Sequence, residues 1–532
     1  MKRLFCKVIA VGLICMSALT GCAASGGGSQ ADNNSSTETK NELVFVNYRD
    51  IRDLNPHLYA GEMYAQEMLY ETLVNITEDG YEGCLAESWE ISPDGKTYTF
   101  NIRDGVTFSD GEVCDAYAIK ANFDAIIANK DRHTWLEMMN ILVGVSAPDS
   151  DTFVIELSEA YYPFLTELAV TRPFAMISPK AMIDGNTKDG VKEYIGTGAY
   201  ILTDVVTDEY AVFEANPNYW GGEPEIKKIT VKVIPDNQTR ILALEKGEID
   251  LIFGKNMIDA DAINKYIDSD KFTVALSDPT STRHVVLNTT DEILSDINVR
   301  KAIQHATNKE AISQGIFYGL EKPADTLYST TTPYCDIDLE PYKYDVSVAE
   351  SLLDEAGWKM GSNGVREKDG KELSLQLLYN SDSVTEKSIS EYLQSEYQKI
   401  GIKLNIHGEE EQSYRDNMKA GNFDMVFNIC WGTPYDPQSS LSAMRATVYG
   451  DYSAQLGLDD KAEIDNAISN ILVSTDETAR QELYKFVLTH LHEDAVYLPL
   501  TYECNKAIYR SDMKGFHFTQ TQYEVPFQDF SF

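Results

Sequence analysis

"IKKITVKVIPDNQTRILALEKGEIDLIFG", residues 226–254, changes its hydrophobic period twice. Ile229, Val231 and Val233 alternate with Thr230 and Lys232, the period of a strand. Pro235 and Asp236 turn the chain. Residues 237–246 are helix formers, and Gly247 stands where a helix would stop. "IDLIF" then reads as a buried strand. Strand, helix and strand in succession argue an α/β fold.

The same grammar recurs along the chain. "YDVSVAESLLDEAGW" (344–358) offers Asp345 as N-cap, an apolar face at Val348, Leu352 and Leu353, and Gly357 as terminator. "INVRKAIQHATNKEAISQGIFYG" (297–319) reads as two short helices broken near Asn308. No short-period repeat occurs.

The 532 residues are 43% hydrophobic, enough for two or more lobes with their own cores. The formal net charge is -39 and the basic residues are not clustered, which argues against nucleic-acid binding. The N-terminal "MKRLFCKVIAVGLICMSALTGC" has Lys2, Arg3 and Lys7, then an apolar run too short to span a bilayer. Its end, "LTGC", resembles a bacterial lipobox. That predicts a signal peptide over 1–21 and lipidation of Cys22, anchoring the chain to the outer face of a membrane. Residues 22–42 are poor in apolar side chains and read as a flexible tether reaching roughly 25 Å. Of the other cysteines, Cys84, Cys114, Cys335, Cys430 and Cys504 are widely spaced, with no metal-ligand pattern. They read mostly as buried free thiols, with one bridge left open.

Catalytic motifs are missing. "PDGKT" (93–97) resembles the end of a phosphate loop, but Glu90 stands where its first glycine belongs. His490 and His492, two apart in a helix, face different directions. The expectation is a protein that is not an enzyme and has no catalytic cofactor.

"WEISPDGKTYTFNIRDGVTFSDGEVCDAYAIKANF" (89–123) resembles the signature of the family 5 solute-binding proteins of ABC importers. "YIGTGAYIL", "ANPNYWGGEPEIKKITVKVI", "DINVRKAIQHATNKEAI" and "YDVSVAESLLDEAGW" follow in the family's order. The resemblance runs from about residue 43 to the end. It implies the two-lobed periplasmic-binding-protein fold, of the large cluster C type, with ligand in the interlobe cleft. Lobe 1 would span 43–254 and receive 497–532; lobe 2 would span 255–496. It also implies an extracytoplasmic monomer that hands its ligand to ABC permease and ATPase subunits.

Within that family the chain resembles the nickel binders. "LNPHLYAGEMYAQEMLYE", "DRHTWLEMMN", "SEAYYPFLTELAVTRPFAM" and "GEEEQSYRDNMKAGNFDMVFNICWGTPYDPQSSLSAMR" carry the likeness. By that match Trp431 and Tyr435, on a loop that Gly432, Pro434 and Pro437 keep out of helix, pack against a bound metal chelate. Arg132 and Trp135, Arg172, Tyr414 and Met63 are the other implied pocket residues. The residue types suit this task independently. Arginine offers a planar fork to carboxylates, and Trp and Tyr give rigid faces with one polar atom each.

Competing readings stand beside these. Trp135 heads an apolar run and could be core; Arg172 could be a structural ion pair; Met63 could be filler. His133, a candidate metal ligand, could face pocket or solvent. Where the nickel binders carry a metal-ligating histidine, this chain has Tyr449. The transported ligand is therefore expected to be Ni(II) as a chelate whose chelator supplies the metal ligands. A peptide or opine receptor of the same family and a chemosensory receptor are the alternatives.

Overall fold

In the computed structural model residues 226–254 fold as their periods predict. The strand Lys228–Val233 buries Ile229 and Val231. The Asp236 carboxylate accepts from the Thr239 amide and caps the helix Asn237–Glu245. Gly247, at φ 72°, takes the left-handed turn out of that helix. Leu251–Phe253 is a strand buried at every position. The structure describes residues 40–77, 80–431 and 437–532, without the Trp431 side chain. Cys22, Tyr435 and the side chain of Trp431 lie outside the described residues.

Lys228–Val233 and Leu251–Phe253 flank the strand Glu42–Asn47, both parallel to it. All three belong to an 11-stranded mixed sheet. At its centre two long strands, Phe272–Leu287 and Tyr497–Arg510, run antiparallel. Leu251–Phe253 pairs with residues 507–509 of the second. Met425–Trp431 pairs with residues 281–287 of the first, and Ser374–Asn380 and Lys403–Glu409 follow in parallel. The long strands thus carry one sheet between two groups of elements. Their pairing shifts register between Leu276 and Ser281. Such irregularities bend strands locally.

A separate four-stranded antiparallel sheet joins Ala86–Ile91, Thr97–Ile102, Thr152–Leu157 and Leu142–Ser146. It packs with the helix Ala116–Ala128 around Phe100, Phe123, Phe153, Phe164 and Phe174. Each such burial contributes about 1.5–3 kcal/mol, more than a helix cap at about 1 kcal/mol. Elsewhere Met513, Val525, Phe527 and Phe530 close on Phe45, Tyr64 and Phe213, so the end of the chain shares the core of its first strand. Met257, Ile263 and Tyr266 pack with Val46, Ile252 and Ile508.

Asp345 caps Val346–Glu355. Val348 is 37% exposed, however, and the buried stripe is Ala349 and Leu353. Contact with the helix Ile297–Ala306 sets that stripe. Asn308 ends the break after Ile297–Ala306 by capping Lys309–Ile316. Cys84, Cys114, Cys335, Cys430 and Cys504 are buried, and no disulfide joins any two of them. Among the described residues, no helix is long and apolar enough to cross a membrane.

Candidate functional site

Tyr59 ends an irregular segment before the helix Met63–Leu69. That segment is pinned by side chains: Asn55 donates to the Thr187 carbonyl at 2.8 Å, and Gln66 donates to the Asn55 carbonyl at 3.0 Å. The Tyr59 hydroxyl lies 2.7 Å from His133 Nδ1 and accepts from Trp135 Nε1 at 2.9 Å. The indole can only donate, whereas the phenol can either donate to Nδ1 or accept a second bond from it, so the contact fits either tautomer of the neutral imidazole. His133 is buried, and burial, with Arg132 second, pulls its pKa down to about 4. In either tautomer Nδ1 is spent on Tyr59, and among the described residues the buried Nε2 has no partner. Protonated on Nε2, the ring offers a metal no lone pair; protonated on Nδ1, it offers the one on Nε2.

Arg132 and Trp135 come from the tight turn between the helices Ala116–Ala128 and Glu137–Ile141. Trp135 is 49% exposed, edge-on to Tyr59 at 5.9 Å; the core is filled by Leu136, Met138 and Met139. The core reading of Trp135 therefore does not hold. Arg132 is exposed, its guanidinium carbon 5.8 Å from the Tyr59 ring centre.

Arg172 precedes Pro173, which keeps its backbone extended (φ -109°, ψ 116°). Its Nε donates to Gln66 Oε1 at 2.5 Å and its Nη2 to the Gly61 carbonyl. Nearby carboxylates are engaged elsewhere: Glu62 with Arg49, Glu67 with the Thr171 hydroxyl. Among the described residues neither Arg132 nor Arg172 forms an ion pair. Burial lowers the Arg172 pKa against the opposing pull of Glu67 and Glu62. Burial also pushes Tyr59 up to about 12, although the Trp135 bond and then the fields of Arg132 and Arg172 oppose it. Both arginines thus act on one neutral phenol. Met63 opens the helix three residues before Gln66, on the same face, and is half-buried.

Tyr414 is placed differently. It is buried on the helix Glu411–Ala420, donates to the Phe427 carbonyl at 2.5 Å, and lines a cavity of about 270 Å³ with Arg415 and Tyr449. Cys430 and Pro437, on either side of the undescribed 432–436, line another of about 540 Å³ with Ser281, Tyr328 and Gln522. That volume suits a small-molecule ligand. Next to Gln522, Tyr523 is 49% exposed and feels the charge of Arg172. Sequence reasoning singled out neither Tyr59 nor Tyr523. Tyr59 lies inside "LNPHLYAGEMYAQ"; the only sequence signal for it was a Tyr in a stretch without regular period.

Two guanidinium groups without a carboxylate partner among the described residues, an exposed indole and a neutral phenol make a surface for an anionic ligand with flat faces.

The model of the bacterial extracellular solute-binding proteins, family 5, matches residues 80–451. The nickel-binding periplasmic protein of Escherichia coli strain K12 is 41% identical over 483 residues, covering 90% of this chain and 92% of that one. The crystal structure of NikA from Brucella suis in complex with Fe(III)-EDTA superposes with a TM-score of 0.89 at 45% identity, over 92% of this chain and 99% of that one. An ABC transporter substrate-binding protein from Sinorhizobium meliloti gives 0.78 at 29% identity, over 92% and 99%. The α/β fold is the two-lobed fold of these binding proteins. The chain belongs to the bacterial extracellular solute-binding proteins, family 5.

Proposed function

We propose that this receptor captures nickel as a chelate with a small carboxylate-bearing chelator and delivers it to an ABC permease driven by ATPase subunits. It acts as a monomer, with no catalytic step of its own. One observation carries the reading. In a chain with 84 acidic residues, Arg132 and Arg172 face one site without a carboxylate partner among the described residues. A carboxylate-rich chelate would supply the missing charge. The Escherichia coli relative's name and the Fe(III)-EDTA in Brucella suis NikA support this ligand class. The metal is cargo. The chelator supplies the metal ligands, a reading supported by the lack of any His, Cys, Asp and Glu cluster fit to hold a metal among the described residues, while Arg132 and Arg172 read charge and Trp135, Trp431 and Tyr435 read faces. Met63 borders the chelate; Tyr414 supports the facing lobe.

Lobe 1 begins near residue 43 and receives the returning 497–532, with lobe 2 inserted between; the sequence expectation put the first crossover at 254. The packing of Met257, Ile263 and Tyr266 with Val46 and Ile508 supports a later crossover, where the long strands shift register. Cys22 carries the lipid anchor, and Cys22→Ser releases the protein into the medium; retention on the membrane would refute the anchor.

Calorimetry on stripped protein tests the ligand. Bare Ni²⁺ is expected to bind weakly, and Ni²⁺ with histidine roughly 100-fold more tightly, or about 2.7 kcal/mol. Tight stoichiometric uptake of the bare ion, abolished in His133→Ala, would overturn the reading.

A further inference from the structure

A second arginine–aromatic cluster lies away from Tyr59. Tyr162 sits between the strand Thr152–Leu157 and the helix Phe164–Leu168, at the edge of the four-stranded-sheet core. Its amide donates to the Leu472 carbonyl at 3.0 Å, and Leu472 itself enters that core. Its hydroxyl donates to Glu477 Oε1, and the hydroxyl of Tyr334 donates to Oε2 of the same carboxylate. Its ring lies under the guanidinium of the fully buried Arg480, 3.5 Å from ring centre to Cζ. Arg480 also covers the Tyr334 ring at 5.0 Å, and Tyr334 stacks on Tyr484 at 4.8 Å with planes 4° apart. Glu477, Arg480 and Tyr484 all come from the helix Glu477–Glu493.

The placement matters. The chain crosses between the two groups of sheet strands through Phe272–Leu287 and Tyr497–Arg510. The contact at Tyr162 joins them a second time, through elements that belong to neither strand. On the lobe division proposed above, Tyr162 belongs to lobe 1 and Glu477 and Arg480 to lobe 2, so opening the cleft there would pull the phenol out from beneath Arg480 and break its bond to Glu477. A contact made only when the lobes are shut raises the closed population, whatever the ligand. Apparent affinity scales with that population, because the dissociation constant is the intrinsic value divided by the binding-competent fraction.

We infer that Tyr162, held by Arg480 and Glu477, is a latch that biases the receptor toward the closed state independently of its ligand. This rests on the two-lobed receptor reading and not on the identity of the cargo. The test uses the full chain. Small-angle scattering on stripped protein should find Tyr162→Ala more open than the parent, with Tyr162→Phe intermediate because it keeps the ring but loses the hydroxyl. Glu477→Ala, at an exposed helix start, should shift the same way without risk to the core. Stopped-flow release of a nickel–histidine complex should quicken about tenfold in Tyr162→Ala. Identical scattering for the parent, Tyr162→Phe and Glu477→Ala would overturn the latch. If no nickel complex binds, the scattering arm still decides, so failure of the cargo reading is distinguishable.

Discussion

Arg172 and Arg283 both lie substantially out of water in an acidic chain, yet their surroundings are opposite. Arg283 donates through Nη2 to Glu503, has Glu321 at 4.0 Å, and shares these acids with Lys255 and Lys506. Burial works against its charge, but Glu503 and Glu321 outweigh it and raise its pKa. Among the described residues Arg172 is bound only to the oxygens of Gln66 and Gly61, and burial wins. An arginine neutralised inside the protein fixes the strands it joins. One held by neutral oxygens keeps its charge for a visitor.

The comparison can be broken by stability measurements. Arg283→Ala strands Glu503 without its main partner at the join of the long strands. A buried pair that loses one member costs about 3–5 kcal/mol. Denaturant unfolding should record that loss, while Arg172→Ala should change stability by less than about 1 kcal/mol. Equal losses would show that Arg172 is structural after all.

Affinity sharpens the same contrast. On the proposed reading, Arg132→Ala and Arg172→Ala should each cost one charge-assisted hydrogen bond to the chelate, about 1.5–3 kcal/mol, or roughly 10- to 100-fold in Kd. Calorimetry with nickel–histidine reads this directly. An unaltered Kd in Arg172→Ala would remove that residue from the site.

Acid should probe both regions through buried neutral histidines. Burial lowers His284, beside the Arg283 network, to about 4 and His57 to about 3. Their folded pKa values lie below the unfolded value of 6.5, so between the two the unfolded chain binds more protons. The stability they contribute is fully present above pH 6.5 and is lost as pH falls toward 4. From pH 7 to 5 each costs about 2 kcal/mol. His284→Gln should flatten the pH dependence of the melting temperature in this window; an unchanged slope would contradict it. Glu503 is held down by Arg283 and Lys255 against its own burial. Its contribution is present above the ordinary glutamate range and lost only as pH falls below it.

Local order was legible in the sequence because periods and caps are written within a few residues. Asp236, Gly247, Asp345 and Asn308 all act where they were read. Val348 was not, because the partner helix decides which stripe is buried. At the site, "DRHTW" and "TRPF" singled out Arg132, Trp135 and Arg172 as implied pocket residues, and these three lie near one phenol that the likeness did not name. Two things were not legible: the burial of His133, and the role of Tyr59. Both depend on pairings 74 and 76 residues apart. No periodicity encodes a hydrogen bond between two loops. Tyr162 beneath Arg480 is hidden for the same reason.

The smallest effect should come from Tyr59→Phe, which keeps the ring and removes only the hydroxyl. Trp135 Nε1 then loses its acceptor and His133 Nδ1 its partner. Trp135 is half-exposed, so water replaces one bond at little cost. Losing the other leaves a buried nitrogen unsatisfied. The net cost of a neutral hydrogen bond is about 0.5–1.5 kcal/mol, so denaturant unfolding should record a loss of that size, and affinity for the chelate should fall by no more than about 2- to 13-fold. A structural filler would give the same number, so the decisive readout is the imidazole itself. In the parent, ¹⁵N shifts of His133 should report a proton on Nε2 and a bare Nδ1 accepting from Tyr59. In Tyr59→Phe that preference should relax toward a mixture of tautomers. A parent protonated on Nδ1 would free Nε2 as a metal ligand and return His133 to the coordination sphere.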